Sequence, residues 1–301
     1  MYPIKRASRS EFIPVRNLSY HVRVWGDARA GVPPLVMVHG WMDVAASYQF
    51  VVDAMTDAFA RGRQIIAPDW RDYGLTALPG TDNYWFPDYL ADLDTLLDHY
   101  APDQPVDLVG HSMGGNVVML YAGIRPERIR RLVSLEGFGM PATVAEQAPK
   151  RYRQWLDELK EPAGLKPYDS VAEVAARLRK TNPLLPEDKA AWLAPHWSRE
   201  TGGQWQILGD PAHKRVNPLL YRVDEVLACW KQIAAPMLWV EGDRTDVEKW
   251  WGHRYPRSEF DARLAVVPKV ERHVLSPAGH MLHHDQPQAL ARRLEEFLDT
   301  P

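Results

Sequence analysis

Residues 106–123 read VDLVGHSMGGNVVMLYAG. Val106, Leu108 and Val109 belong to a short apolar run that closes at Gly110, and an apolar helical pattern resumes after Gly114 and Gly115. Ser112 stands between. A chain that turns abruptly from a buried strand into a helix, and projects a side chain from that turn, strains its own backbone there. Residues two positions to either side must then be small. Gly110 and Gly114 meet that demand. The N–H groups that follow lie at a helix N-terminus, where negative charge is favoured. Serine is also an ordinary helix N-cap, so other parts of the chain must decide what Ser112 is for.

The same kind of run recurs. PLVMVHG (34–40), QIIAPD (64–69), RLVSLEG (131–137) and PMLWVEG (236–242) are continuous apolar stretches closed by Gly or Asp. They predict strands buried on both faces of a mainly parallel sheet. SYHVRVW (19–25) alternates apolar and polar residues and predicts a half-buried antiparallel strand. Helical patterns fall at 47–60, 85–100, 113–124 and 285–299; in the last, Leu290, Leu294, Phe297 and Leu298 share one face. Strands alternating with helices predict an α/β fold with a doubly wound, mostly parallel sheet and right-handed crossovers.

Residues 140–233 break the rhythm. They hold Trp155, Trp192, Trp197, Trp205 and Trp230, helix-like pieces such as SVAEVAARLRK (170–180), and many prolines. We read them as a helical cap inserted between two strands, with 1–139 and 234–301 forming the core. Loops at the C-terminal edge of a parallel sheet carry function, so the insertion is expected to roof the site.

Composition removes several classes. The formal net charge of −3 offers no basic face for a nucleic acid. The single cysteine, Cys229 in VLACW, excludes a disulfide framework, argues against a thiolate metal site and reads as an inert core residue. No stretch approaches the ~20 apolar residues of a membrane helix, and MYPIKRASRSEFIPV lacks the apolar segment of a secretory signal. A cytoplasmic protein is expected.

GHSMGG (110–115), HGW (39–41), PDWRDYG (68–74) and SPAGHMLHHDQP (276–287) together resemble the α/β-hydrolase superfamily, in its cap-bearing branch. The resemblance runs from about residue 19 to the C-terminus and is weak within 140–233. It implies the α/β-hydrolase fold, with Ser112 as nucleophile and His280 as the base that a serine hydroxyl needs. The third member must orient the histidine and stabilise its charged form. The family places it after the strand following the cap, and GDRTDV favours Asp246, which leaves Asp243 as a turn residue. Asp243 itself and Glu136, at the end of the strand before the cap, are the alternatives. The resemblance also implies an oxyanion hole from the backbone N–H groups of Trp41 and Met113.

The remaining histidines and charges receive quieter readings. His39 and His111 flank the motifs and suit packing and loop hydrogen bonding. His283 and His284 read as helix-start or surface residues. A metal site from His283, His284 and Asp285 is disfavoured, because adjacent side chains rarely converge on one ion. PDWRDYG departs from the Arg-Gly-x-Gly usual in relatives, and Asp69 with Arg71 is expected to form a charge-assisted clamp.

A serine nucleophile argues against dehalogenase and epoxide hydrolase chemistry, whose family members carry Asp there. Ester hydrolysis through an acyl-enzyme is the expected reaction, on a small apolar acyl or aryl ester with water as the second substrate and no cofactor or metal. Carbon–carbon hydrolase, lactonase, thioesterase and a non-catalytic ligand-binding protein are the alternatives, since fold alone does not give function.

Overall fold

The computed structural model describes residues 2–77 and 80–299. Eight strands form one sheet in the order β1-β2-β4-β3-β5-β6-β9-β10. They are β1 (Arg9–Val15), β2 (Leu18–Trp25), β3 (Leu35–Val38), β4 (Ile65–Pro68), β5 (Val106–His111), β6 (Ile129–Leu135), β9 (Met237–Gly242) and β10 (Val270–Leu275). The strands from β4 to β10 across the sheet are parallel. β2 is antiparallel to both β1 and β4, as its alternating pattern requires. β1 and β10 carry too few apolar residues to stand out in the sequence. They are the two edges, where a strand needs less burial.

Helices cover both faces. Along the chain they are α1 (Gln49–Ala54), α2 (Asp57–Ala60), α3 (Phe86–Tyr100), α4 (Met113–Ile124), α5 (Ala148–Glu158), α6 (Val171–Thr181), α7 (Glu187–Trp197), α8 (Val223–Trp230), α9 (Glu248–Trp251), α10 (Arg257–Leu264), α11 (Leu282–Asp285) and α12 (Pro287–Leu298). Leu93, Leu96 and Leu97 of α3 share one apolar core with Val117 and Val118 of α4, Trp230 of α8 and Phe260 of α10. Val51 and Val52 of α1 share another, on the opposite face, with Leu290, Leu294 and Leu298 of α12. No helix among the described residues is long and apolar enough to cross a membrane.

Between β6 and β9 the chain forms α5 to α8 and an antiparallel hairpin, β7 (Ser198–Thr201) with β8 (Gln204–Ile207). The hairpin turns at Gly202 and Gly203, both at positive φ, where glycine carries no Cβ penalty. α6 and α7 bury Val174, Leu178 and Leu193 against Val44 and Phe50. α8 packs on α4: a Cβ at Gly123 would lie 2.0 Å from the Cys229 carbonyl oxygen, so only glycine permits that approach. Cys229 itself is half-buried. The insertion is tied to the loop after β4, where Gly74 N–H donates to Leu208 O (3.0 Å) and Asp210 N–H to Asp72 O (3.1 Å).

Candidate active site

β5 delivers Ser112 to the C-terminal edge of the sheet. The backbone of Ser112 sits at φ 52, ψ −113, the strained conformation that the flanking glycines imply. A Cβ at Gly110 would lie 2.3 Å from Gly114 O, and one at Gly114 would lie 2.5 Å from His39 O. The turn closes only because neither side chain is there.

Ser112 Oγ lies 2.9 Å from Nε2 of His280, and Nδ1 of His280 lies 2.7 Å from Oε2 of Glu136. A carboxylate can only accept, so Nδ1 carries the proton and Nε2 presents its lone pair to the serine hydroxyl. Glu136 is buried. It stands one residue past β6 at φ 56, and its Oε1 accepts from Gly242 N–H at 2.7 Å. Both carboxylate oxygens are therefore engaged, one by a backbone donor that fixes the rotamer and one by the imidazole. His280 keeps 29 % of its side chain exposed, and the Trp250 ring meets it edge to face at 4.6 Å.

The expectation for Asp246 is corrected by this geometry: the carboxylate hydrogen-bonded to His280 is Glu136. Asp246 accepts from Glu248 N–H (3.1 Å) and lies 3.7 Å from Lys249 Nζ, with its side chain 44 % exposed. Asp243 holds the loop that carries His280. Its Oδ2 accepts from Ser276 Oγ–H (2.6 Å) and its Oδ1 from Ala278 N–H (2.9 Å). The Ser276 bond leads in holding the Asp243 carboxyl below its ordinary range. Arg244 N–H to Ala278 O (2.9 Å) and Gly279 N–H to Asp285 Oδ2 (2.8 Å) complete the clamp.

The Gly40–Trp41 turn lies over the serine, since a Cβ at Gly40 would be 3.1 Å from Ser112 Cβ. Met113 opens α4 directly after the serine. His39 pins the turn. Its Nδ1–H donates to Gly40 O (2.8 Å), and its Nε2 accepts from Trp70 N–H (2.9 Å). Burial holds the His39 imidazole below its usual pKa, so this neutral tautomer persists.

Two further expectations change. Asp69 and Arg71 do not clamp one another. Asp69 pairs with His21 Nδ1 at 2.6 Å and accepts from Ala45 and Leu75 N–H. Arg71 forks onto Asp92 at 2.7 and 2.8 Å. The backbone between Asp69 and Arg71 turns, so their side chains point to different layers. His283 and His284 are not surface residues: both are buried. They converge with Asp43 rather than Asp285, and this is the one grouping among the described residues whose side chains could hold a metal ion. His283 Nε2 lies 3.6 Å from Asp43 Oδ2. Burial pushes the Asp43 carboxyl up, but the nearby His283 and His284 imidazoles outweigh it and hold it far below the usual carboxylate range. Asp43 also accepts from Ser47 Oγ and from Trp197 Nε1 (3.0 Å). His111, beside His283, donates from Nε2 to His280 O at 2.7 Å. Nothing in HGWMDVAASY marks Asp43 as part of a network that reaches the His280 loop; its partners beyond Ser47 come from two distant segments, at Trp197 and at His283–His284.

Comparison with known proteins places this arrangement. A model of the alpha/beta hydrolase fold matches residues 33–287. A serine hydrolase-like protein of Danio rerio is 25% identical, over 97% of this chain and 89% of its own. Esterase YbfF of Escherichia coli is 24% identical, over 88% of this chain and 93% of its own. Among solved structures, a thioesterase domain from the curacin biosynthetic pathway superposes with a TM-score of 0.81 at 24% identity, covering 96% of this chain and 99% of that domain.

Proposed function

We propose that this chain, which belongs to the alpha/beta hydrolase fold family, cleaves carboxylic esters through an acyl-enzyme built on Ser112. The unbroken hydrogen-bond relay from Ser112 Oγ through His280 to Glu136 carries the reading. His280 Nε2 takes the serine proton as Oγ attacks the ester carbonyl, then returns it to the leaving alcohol. Glu136 holds the imidazole in the tautomer that makes this possible and stabilises the imidazolium that forms. The N–H groups of Trp41 and Met113 receive the oxyanion, helped by the positive end of α4. Water then repeats the sequence to release the acid. The names of the Danio rerio and Escherichia coli relatives support hydrolase and esterase chemistry.

Residues 140–233 are proposed as the cap. Trp41 Nε1–H donates to His213 O (3.2 Å), and His213 is stacked between Tyr73 and Tyr84 at 4.0 and 3.5 Å. This contact supports the cap as a wall of the site beside the oxyanion turn.

Ser112→Ala should lower kcat for a p-nitrophenyl ester by about 10⁴-fold or more. Its circular dichroism and melting curve should stay as in the wild type, because the hydroxyl supports no core. A variant that keeps a tenth of wild-type turnover would show that Ser112 is not the nucleophile.

A further inference from the structure

Asn116, Leu120 and Ile124 are spaced by four on α4 and form one line down its side. The line begins one turn from the serine, where Asn116 N–H donates to Ser112 O (3.0 Å). Eight residues of helix carry it about 12 Å. All three residues line a single cavity of about 870 Å³, walled opposite by Phe86 and Leu90 of α3 and by Trp251. That volume falls in the range of small-molecule sites. At the far end of the line Ile124 is 50% exposed. At the near end the cavity shares Phe86 and Asn217 with a smaller one lined by Trp41 and Met113, the two residues of the proposed oxyanion hole.

The tetrahedral carbon fixes which half of an ester lies there. Its oxyanion faces the N–H groups of Trp41 and Met113, and its leaving oxygen must face His280 Nε2. The remaining substituent is the acyl chain, which points over the first turn of α4, toward Asn116.

Resting on the ester reading above, we infer that the groove along α4 binds the acyl half of the substrate, an unbranched hydrocarbon chain of up to about fourteen carbons. An extended chain advances about 1.25 Å per carbon, and the helix rises about 18 Å from Ser112 to Ile124, so about fourteen carbons reach Ile124. Beyond that point the chain emerges past Ile124, and further carbons gain little. Each methylene fully taken out of water multiplies binding by about fourfold, so the gain over this length is large even if the chain is only half covered.

Ethyl decanoate and decyl acetate are isomers and equally apolar; only the position of the carbonyl differs. The wild-type enzyme should cleave ethyl decanoate with a kcat/KM at least about tenfold higher than decyl acetate. In a p-nitrophenyl series kcat/KM should climb at least about a hundredfold from acetate to decanoate and level off only near tetradecanoate. Leu120→Trp, which fills the middle of the groove, should lose most of the gain of the longer chains. Ile124→Trp, at the half-exposed end, should affect only chains longer than about dodecanoate. Labelling of Ser112 by a fluorophosphonate at the wild-type rate certifies that each variant is folded. Equal rates for the two isomers, or faster cleavage of decyl acetate, would overturn the acyl assignment while leaving the ester chemistry standing. A flat chain-length series would do the same. Failure to hydrolyse any ester, short or long, would instead remove the ester reading itself and the groove's role with it.

Discussion

Strands β6 and β9 lie side by side, and each ends in carboxylates within reach of the loop that brings in His280. The end of β6 offers Glu136, buried, held by Gly242 N–H and bonded to His280 Nδ1. The end of β9 offers Asp243 and Asp246, both on the water side. Burial separates them. A carboxylate in a low-dielectric site feels the imidazolium strongly and keeps a single rotamer, whereas an exposed one is screened and mobile. The exposed Asp243 has a different task, which is to fold the loop from Ser276 to Ala278. Orientation of the base and construction of its loop are thus divided between two strand ends.

The sharpest way to break this division is at Glu136. Glu136→Gln preserves size and the bond from Gly242, but its amide can donate to the imidazole and favour the wrong tautomer. Steady-state kinetics on a p-nitrophenyl ester should show kcat reduced by about 10³–10⁴-fold, with the melting temperature little changed.

Acid should expose the contrast next. Burial holds His284 and His111 well below the ordinary histidine range, and it pushes His213 down to about 3. The unfolded chain binds protons at these positions below about pH 6.5, while the folded chain does not. Their stabilisation is therefore complete above that pH and is lost as pH falls, by about 2 kcal/mol per fully buried histidine at pH 5. Asp243 has a dependence of the same sign, in a lower pH window. Its folded pKa is depressed, so its contribution is present above the unfolded carboxylate value and fades only as pH falls below about 4. Urea midpoints measured from pH 8 to pH 3.5 should show a histidine step and then a carboxylate step. His284→Leu should flatten the first; an unchanged slope between pH 6.5 and 5 would contradict its buried, neutral state.

Asp243→Asn should have a smaller effect on catalysis. Its Ala278 bond survives, and only the charge on the Ser276 contact is lost. A decrease in kcat/KM of about tenfold or less is expected, the cost of about one weakened charge-assisted bond. A loss as large as that of Glu136→Gln would merge the two roles that the structure separates.

Much of this was legible before any coordinates. Continuous apolar runs ending in Gly or Asp located five of the eight strands of the main sheet, alternation located β2, and Gly110 and Gly114 located the turn that presents Ser112. The choice of carboxylate was not legible. GDRTDV and SLEG both end strands in acids, and a sequence does not reveal that Glu136 turns inward at positive φ while Asp246 faces Lys249. The glycine after Glu136 was the available signal. A Cβ at Gly137 would lie 2.7 Å from the Gly115 carbonyl carbon, so the chain leaving β6 is pressed against the first turn of α4, beside Ser112. His283 and His284 were misplaced for a related reason. Polar residues at a helix start usually face water, but α11 is wedged against Tyr48 and Phe50, which bury both rings.

One measurement tests the division most directly because it needs no known substrate. The rate at which a fluorophosphonate modifies Ser112, read by mass spectrometry of the intact protein and its peptides, reports how strongly His280 activates the hydroxyl. The wild-type and Asp246→Asn proteins should label at Ser112 with rates within about twofold of each other, and Glu136→Gln should label slower by about two orders of magnitude or more. Wild-type labelling of Glu136→Gln together with slow labelling of Asp246→Asn would contradict the account and return the acid to the end of β9.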